Sequence, residues 1–201
     1  MSPRVLVVFL KAPRLGTVKT RLARSLGDAA ALAAYREMTG LVLDRVAEFP
    51  SIELRFSPDD SGREVEPWRR PSWTCAPQGG GDLGERLRAA FADHFSRAVA
   101  AVAVIGSDCP EVRRADIDEA FTRLKDLDVV LGPAVDGGYW LIALREPHPE
   151  LFEGIPWSTP QVLSETVARA AARGLKVGFL RPLADIDTEE DWRRFLEQNN
   201  W

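Results

Sequence analysis

Apolar residues fall along the 201-residue chain in short unbroken runs separated by stretches of helical period. Residues 5–10 are continuously apolar and rich in β-branched side chains, which predicts a central parallel strand covered on both faces. A helical pattern begins around Val18 and continues to about Ala47, with a break at Gly27. Residues 52–56 predict a second strand and 73–76 a weaker third, with the polar, turn-rich stretch 58–71 between them as a surface excursion. Leu83, Leu87, Ala90, Phe91 and Phe95 recur at helical spacing, so 82–98 predicts an amphipathic helix capped by Asp82. Residues 101–106 form the strongest strand pattern, a helix is expected over 114–124, and 128–131 form another apolar strand. Gly132-Pro133 breaks that strand, and 139–144 resume in strand composition, as a turn feeding a second strand or hairpin does. The last quarter predicts a helix over 160–173, a strand over 175–180 and a final helix through Leu196, with Thr188 and Asp191 spaced as a capping box.

Strands alternating with helices over the whole length predict a mostly parallel three-layer α/β sandwich, a single domain over 1–201, with ligands at the carboxyl ends of the strands. Composition refines this picture. The chain is 45% hydrophobic and 28% charged, as ordinary globular domains are. Its net charge of −4 argues against a general nucleic-acid partner, so any basic site has to be local. Cys75 and Cys109 lie far apart and only His94 and His148 accompany them, which fits a reducing cytoplasm and argues against a Cys/His zinc site. The first apolar run is too short to span a membrane and has no cleavage pattern after it.

Candidate chemistry gathers in three places. Lys11, Arg14, Lys19 and Arg21 surround Gly16 in the loop after the first strand and in the first turn of the helix that follows. Cations at a helix start oppose the backbone dipole unless an anion is bound, so this cluster reads as a phosphate grip, or else as a solvated basic turn. On the first reading, removing Lys19 or Arg21 should relieve the dipole and leave stability unharmed. The spacing fails the P-loop pattern, since Lys19-Thr20 follows Val18. Second, Asp108, Asp185 and Asp187 all follow predicted strands, where carboxylates can hold Mg²⁺ or Mn²⁺ against substrate phosphates. Third, Asp136-Gly137-Gly138-Tyr139 offers two glycines for close approach of a ligand and a carboxylate acceptor, although D-G is equally a plain turn. Trp157, Ser158 and Thr159 lie where a cap over that turn would be. Gly79-Gly80-Gly81-Asp82-Leu83-Gly84 formally satisfies G-x-G-x-x-G, but Asp82 puts a negative charge where a pyrophosphate should sit.

Set side by side, these segments resemble the nucleotide-diphospho-sugar transferase superfamily with the glycosyltransferase-A fold. More closely, they resemble a small bacterial subfamily of glycosyltransferase-like proteins associated with radical-SAM or selenium-domain proteins. The residues that carry it are Lys11-x-Pro13-x-x-Gly16-x-x-Lys19-Thr20-Arg21-Leu22, Gly81-x-Leu83-Gly84-Glu85-Arg86-Leu87, Gly106-Ser107-Asp108-Cys109-Pro110, Leu131-Gly132-Pro133-x-x-Asp136-Gly137-Gly138-Tyr139, Pro156-Trp157-Ser158 and Asp185-Ile186-Asp187-Thr188. The resemblance implies that the N-terminal loop lies against nucleotide phosphates, that Asp108 is the metal aspartate and that Asp187 is the second carboxylate. It also implies that Gly81 lies near the nucleotide, with Arg86 a phosphate or base contact. One departure stands out: glycosyltransferases of this fold usually carry Asp-x-Asp, whereas position 110 is proline.

The expectation is therefore a metal-dependent transferase of a nucleotide-activated substrate and a small-molecule acceptor. The resemblance favours glycosyl transfer from a nucleotide-sugar, with Asp136 as base for the acceptor hydroxyl. Nucleotidyl transfer from a nucleoside triphosphate to a phosphorylated acceptor is the alternative, with Lys19 and Arg21 neutralising the triphosphate; the Lys19-Thr20-Arg21-Leu22 stretch also resembles phospholactate guanylyltransferases. A non-catalytic nucleotide-binding partner protein is the third reading.

Overall fold

The central apolar runs become strands buried on both faces. In the computed structural model, which describes residues 3–198, β1 (Arg4–Lys11) is covered along its whole apolar length. Burying one such Leu, Val or Ile is worth about 1.5–3 kcal/mol over leaving it exposed, which fixes the strand at the middle of the fold. It pairs in parallel with β2 (Ile52–Ser57) on one side and β4 (Ala101–Gly106) on the other. β3 (Thr74–Pro77) adds to β2 as an edge strand. Beyond β4 lie β6 (Tyr139–Leu144), β5 (Val129–Pro133) and β7 (Val177–Phe179), completing one seven-stranded sheet in the order β3-β2-β1-β4-β6-β5-β7. β6 runs antiparallel to both neighbours, so the turn after β5 returns the chain as a hairpin and the sheet is mixed at that point.

The helical pattern around Gly27 resolves into α1 (Thr20–Leu26) and α2 (Asp28–Val46), with Gly27 at φ 82° between them. Val18 itself is buried ahead of the helix, which opens two residues later than the periodicity predicts. α2 packs on one face of the sheet with α5 (Arg114–Arg123); α4 (Leu83–Ser96) and α6 (Val162–Ala172) cover the other. α1 and α7 (Glu189–Gln198) close over the outer side of α2 through Leu22, Ala31, Met38, Ile186 and Phe195. The 58–71 stretch is more than a surface loop: it contains the short helix α3 (Gly62–Val65) and a 3₁₀ turn, and buries Ser61 and Val65. Two capping predictions are met. Asp82 and Glu85 form a reciprocal box at α4, and Thr188 and Asp191 exchange hydrogen bonds at α7. Among the described residues no helix is long and apolar enough to cross a membrane.

Candidate functional site

All parallel strands end on one edge, and a cleft of about 630 Å³ opens there. Its floor is the end of β1, the end of β4 with Ser107, Asp108 and Cys109, and the start of β6 at Tyr139. Asp185 and Asp187 enter from the segment before α7. That segment is brought in by backbone pairing: Leu183 N–H donates to Pro133, Val135 N–H to Leu183, and Ile186 N–H to the Asp108 carbonyl at 3.1 Å.

Lys19 is outside the cleft lining, buried against two carboxylates that do line it, Asp108 and Asp187. It sits ahead of α1 in the left-handed region at φ 46°, which costs a non-glycine residue on the order of 1 kcal/mol, and no side chain caps the helix there. Its side chain is only 4% exposed, and the ammonium lies 3.2 Å from Asp108 Oδ2 and 3.0 Å from Asp187 Oδ1. Burial pushes its pKa down, but Asp108 and Asp187 outweigh that and hold it above the ordinary lysine value. Arg21, 63% exposed, reaches the other oxygen of Asp187 at 3.2 Å. The cations at the helix start are thus already balanced by the protein's own carboxylates. The expectation that their removal relieves the dipole is corrected accordingly for Lys19: loss of its ammonium would leave two carboxylates without their shared partner.

The remaining predicted residues separate into cleft and scaffold. Lys11 lines the cleft, while its N–H and carbonyl both bond the Tyr35 hydroxyl at 2.8 Å, which anchors the end of β1 to α2. Arg14 turns away to Glu64 and Asp60. Gly16, at φ 74°, is a turn glycine beside Asp28 and does not line the cleft. Arg86 does line it, held by Nε–H to the Gly81 carbonyl at 3.1 Å and facing Gln78, whose amide donates to the Leu10 and Arg55 carbonyls. The G-x-G-x-x-G run serves this scaffold: Asp82 is spent on the capping box, and Gly84 packs under the Phe152 carbonyl and the Trp157 indole.

Gly137 and Gly138 part company. Gly137 has φ 92° and lies against the Pro160 backbone, where a Cβ would overlap it, so its smallness serves packing. Gly138 donates to Asp136 Oδ1 at 2.9 Å, which closes the turn. Asp136 is exposed and outside the cleft lining, although its charge is felt at Asp185. Ser158, in the left-handed region at φ 63°, borders the cleft, and Trp157 packs edge-on against Tyr139.

Asp185, one of the three candidate carboxylates, is bonded to Cys109, a pairing that nothing in the chain announces. Burial pushes the Asp185 carboxyl up to about 6, against the Cys109 hydrogen bond and with the charges of Asp108 and Asp136 adding to the rise. Burial and Asp185 together raise the Cys109 thiol well above its ordinary range. Tyr35 and Gln78 are likewise invisible from the chain, since each reads locally as part of an apolar helix face or a strand end.

The mostly parallel sheet is of the nucleotide-diphospho-sugar transferase or nucleotidyltransferase type, by its likeness to solved structures. The chain belongs to a family of uncharacterised proteins conserved in bacteria, DUF2064, whose model matches residues 42–159. A crystal structure from Desulfovibrio desulfuricans G20, of a protein provisionally named a nucleotide-diphospho-sugar transferase, is 32% identical over 99% of this chain and 88% of its own, with a TM-score of 0.93. The CTP complex of CMP:2-keto-3-deoxy-manno-octonic acid synthetase aligns with a TM-score of 0.62 at 12% identity, covering 98% of this chain and 100% of its own. For 4-diphosphocytidyl-2C-methyl-D-erythritol synthase of Anaerococcus prevotii DSM 20548 the values are 0.64 and 12%, with 100% and 97% covered. At that identity these two show a shared fold. Among curated proteins, no sequence matches.

Proposed function

We propose that the protein is a nucleotidyltransferase, joining a nucleoside monophosphate unit from a triphosphate to a phosphorylated small-molecule acceptor. The observation that carries this reading is the Asp108–Lys19–Asp187 arrangement, in which carboxylates from two separate segments flank a buried cation at the strand edge. An Asp-x-Asp pair on one loop is replaced by Asp108-Cys109-Pro110. The fold shared with a CTP-bound synthetase supports the same choice.

Two carboxylates are the protein donor set that Mg²⁺ or Mn²⁺ takes alongside phosphate oxygens and waters. Among the described residues no group of three or more His, Cys, Asp or Glu side chains is arranged to hold a metal, so the substrate phosphates would complete the set. Held by Asp108 and Asp187, such a metal would neutralise phosphate charge. In the reaction an acceptor phosphate oxygen attacks the α-phosphorus, the bond from that phosphorus to the bridging oxygen breaks, and pyrophosphate leaves with the electron pair. Lys19 and Arg21 would take up the charge that accumulates on the leaving group, and Arg86 would orient the nucleotide.

Glycosyl transfer is the second reading, favoured by the provisional name of the 32%-identical protein. It asks Asp136 to act as base, while one oxygen of that carboxylate is committed to its own turn. An assay of each nucleoside triphosphate with Mg²⁺ and a panel of phosphorylated acids, phospholactate included, separates the readings. Pyrophosphate is expected, and Asp108→Asn should lower its release by roughly 100-fold or more. Nucleoside diphosphate released from a nucleotide-sugar, with no pyrophosphate from any triphosphate, would establish glycosyl transfer instead. Tight nucleotide binding without turnover of either substrate would mark a nucleotide-binding partner protein.

A further inference from the structure

With Asp108 and Asp187 read as the metal carboxylates, we infer that Lys19 is a tethered counter-ion that must leave them before a divalent metal binds, so that metal uptake waits on the nucleotide's phosphates. The ammonium touches one oxygen of each carboxylate and is nearly sealed from solvent. A dication held by the same two groups would meet that ammonium across a shared carboxylate, and like charges so placed repel.

The backbone that carries each carboxylate is held without Lys19. The Asp108 backbone is tied to Ile186 N–H, Asp187 keeps Arg21 on its second oxygen, and the Asp187 N–H donates to Asp191 Oδ2 at 3.3 Å. The pair can therefore exchange one cation for another without losing its shape. Lys19 carries its ammonium on a flexible four-carbon stem, two residues after the exposed turn 15–17, and can follow an arriving polyphosphate, whose oxygens replace the carboxylates it gives up. Nucleotide should then raise metal affinity, and by reciprocity metal should raise nucleotide affinity. In the free protein the two acids stay neutralised, and metal bound without substrate is disfavoured.

The test titrates Mn²⁺ alone into the nucleotide-free protein, reading free Mn²⁺ by electron paramagnetic resonance and the melting temperature in parallel. K19M, which keeps the stem and discards the charge, is expected to bind Mn²⁺ about tenfold more tightly than wild type or better, about 1.4 kcal/mol per decade. Its metal-free melting temperature should be lower and its rise on adding Mn²⁺ larger. K19R, which keeps a cation, should behave as wild type, and D108N in the K19M background should abolish the gain. K19M binding Mn²⁺ no better than wild type, or not measurably at all, overturns the tether while leaving Asp108 open as a ligand. Binding that D108N and D187N both leave unchanged overturns the metal reading itself. If K19M does not fold without metal, Mn²⁺ in the refolding buffer should recover it, and failure of that recovery also overturns the tether.

Discussion

The Cys109 thiol donates a 2.6 Å hydrogen bond to the Asp185 carboxylate at the floor of the cleft. Because burial lifts the Asp185 carboxyl to about 6, above its unfolded value, the folded state binds an extra proton in between. Stability is therefore lost as pH rises through about 6, and the thiol limits that loss by supporting the charged form. Cys109→Ala should cost about 1–3 kcal/mol at pH 8 and much less at pH 5, where the acid is protonated, whereas Cys109→Ser should restore most of it. Urea denaturation at the two pH values checks this; equal losses at both would detach the bond from the ionisation of Asp185.

The two adjacent glycines of the β5–β6 turn should respond unequally to a methyl group. Gly137→Ala places a Cβ into the Pro160 backbone at a φ of 92°, with no flexible neighbour to yield, and is expected to cost about 2 kcal/mol or more. Gly138→Ala meets only the end of the Asp136 side chain and should cost less than about 1 kcal/mol. Melting curves of both variants decide the matter, and comparable losses would mean that the turn as a whole, and not the Pro160 contact, sets the requirement.

Acid stability should depend on a buried network outside the cleft lining. Burial pushes the Glu53 carboxyl up, but hydrogen bonds from His94 and Arg55 outweigh it and bring the group down to about 2. A depressed folded-state pKa contributes stability that is present above about 4.5 and lost as pH falls through about 2. Glu53→Gln should remove on the order of 2 kcal/mol at neutral pH, solvent screening allowed for, and flatten the acid-unfolding curve between those limits. A variant that unfolds in acid as steeply as wild type would assign the acid sensitivity to other carboxylates.

Much of the architecture was legible from the chain. The run at residues 5–10 is apolar at every position, as in a strand buried on both faces, and the Asp82 cap and the Thr188/Asp191 spacing mark two helix starts through local hydrogen bonds. Asp108 and Asp187 were legible as candidates because each follows an apolar strand pattern. Helix and strand periods, caps and breaks act over a few residues, so a sequence determines them directly.

What the sequence left open were pairings between distant segments. Nothing local places β6 antiparallel between β4 and β5, or brings Asp187 to Lys19 across 168 positions of the chain. Lys19 reads in sequence as a free cation asking for a phosphate; in the fold it is a buried ion-pair member, because the Leu183–Pro133 and Ile186–Asp108 backbone bonds bring Asp187 beside Asp108. Gly137 reads as room for a ligand and proves to be room for Pro160. A side chain's charge is written in the sequence, but its partner is selected by sheet order and packing, which depend on the whole chain at once.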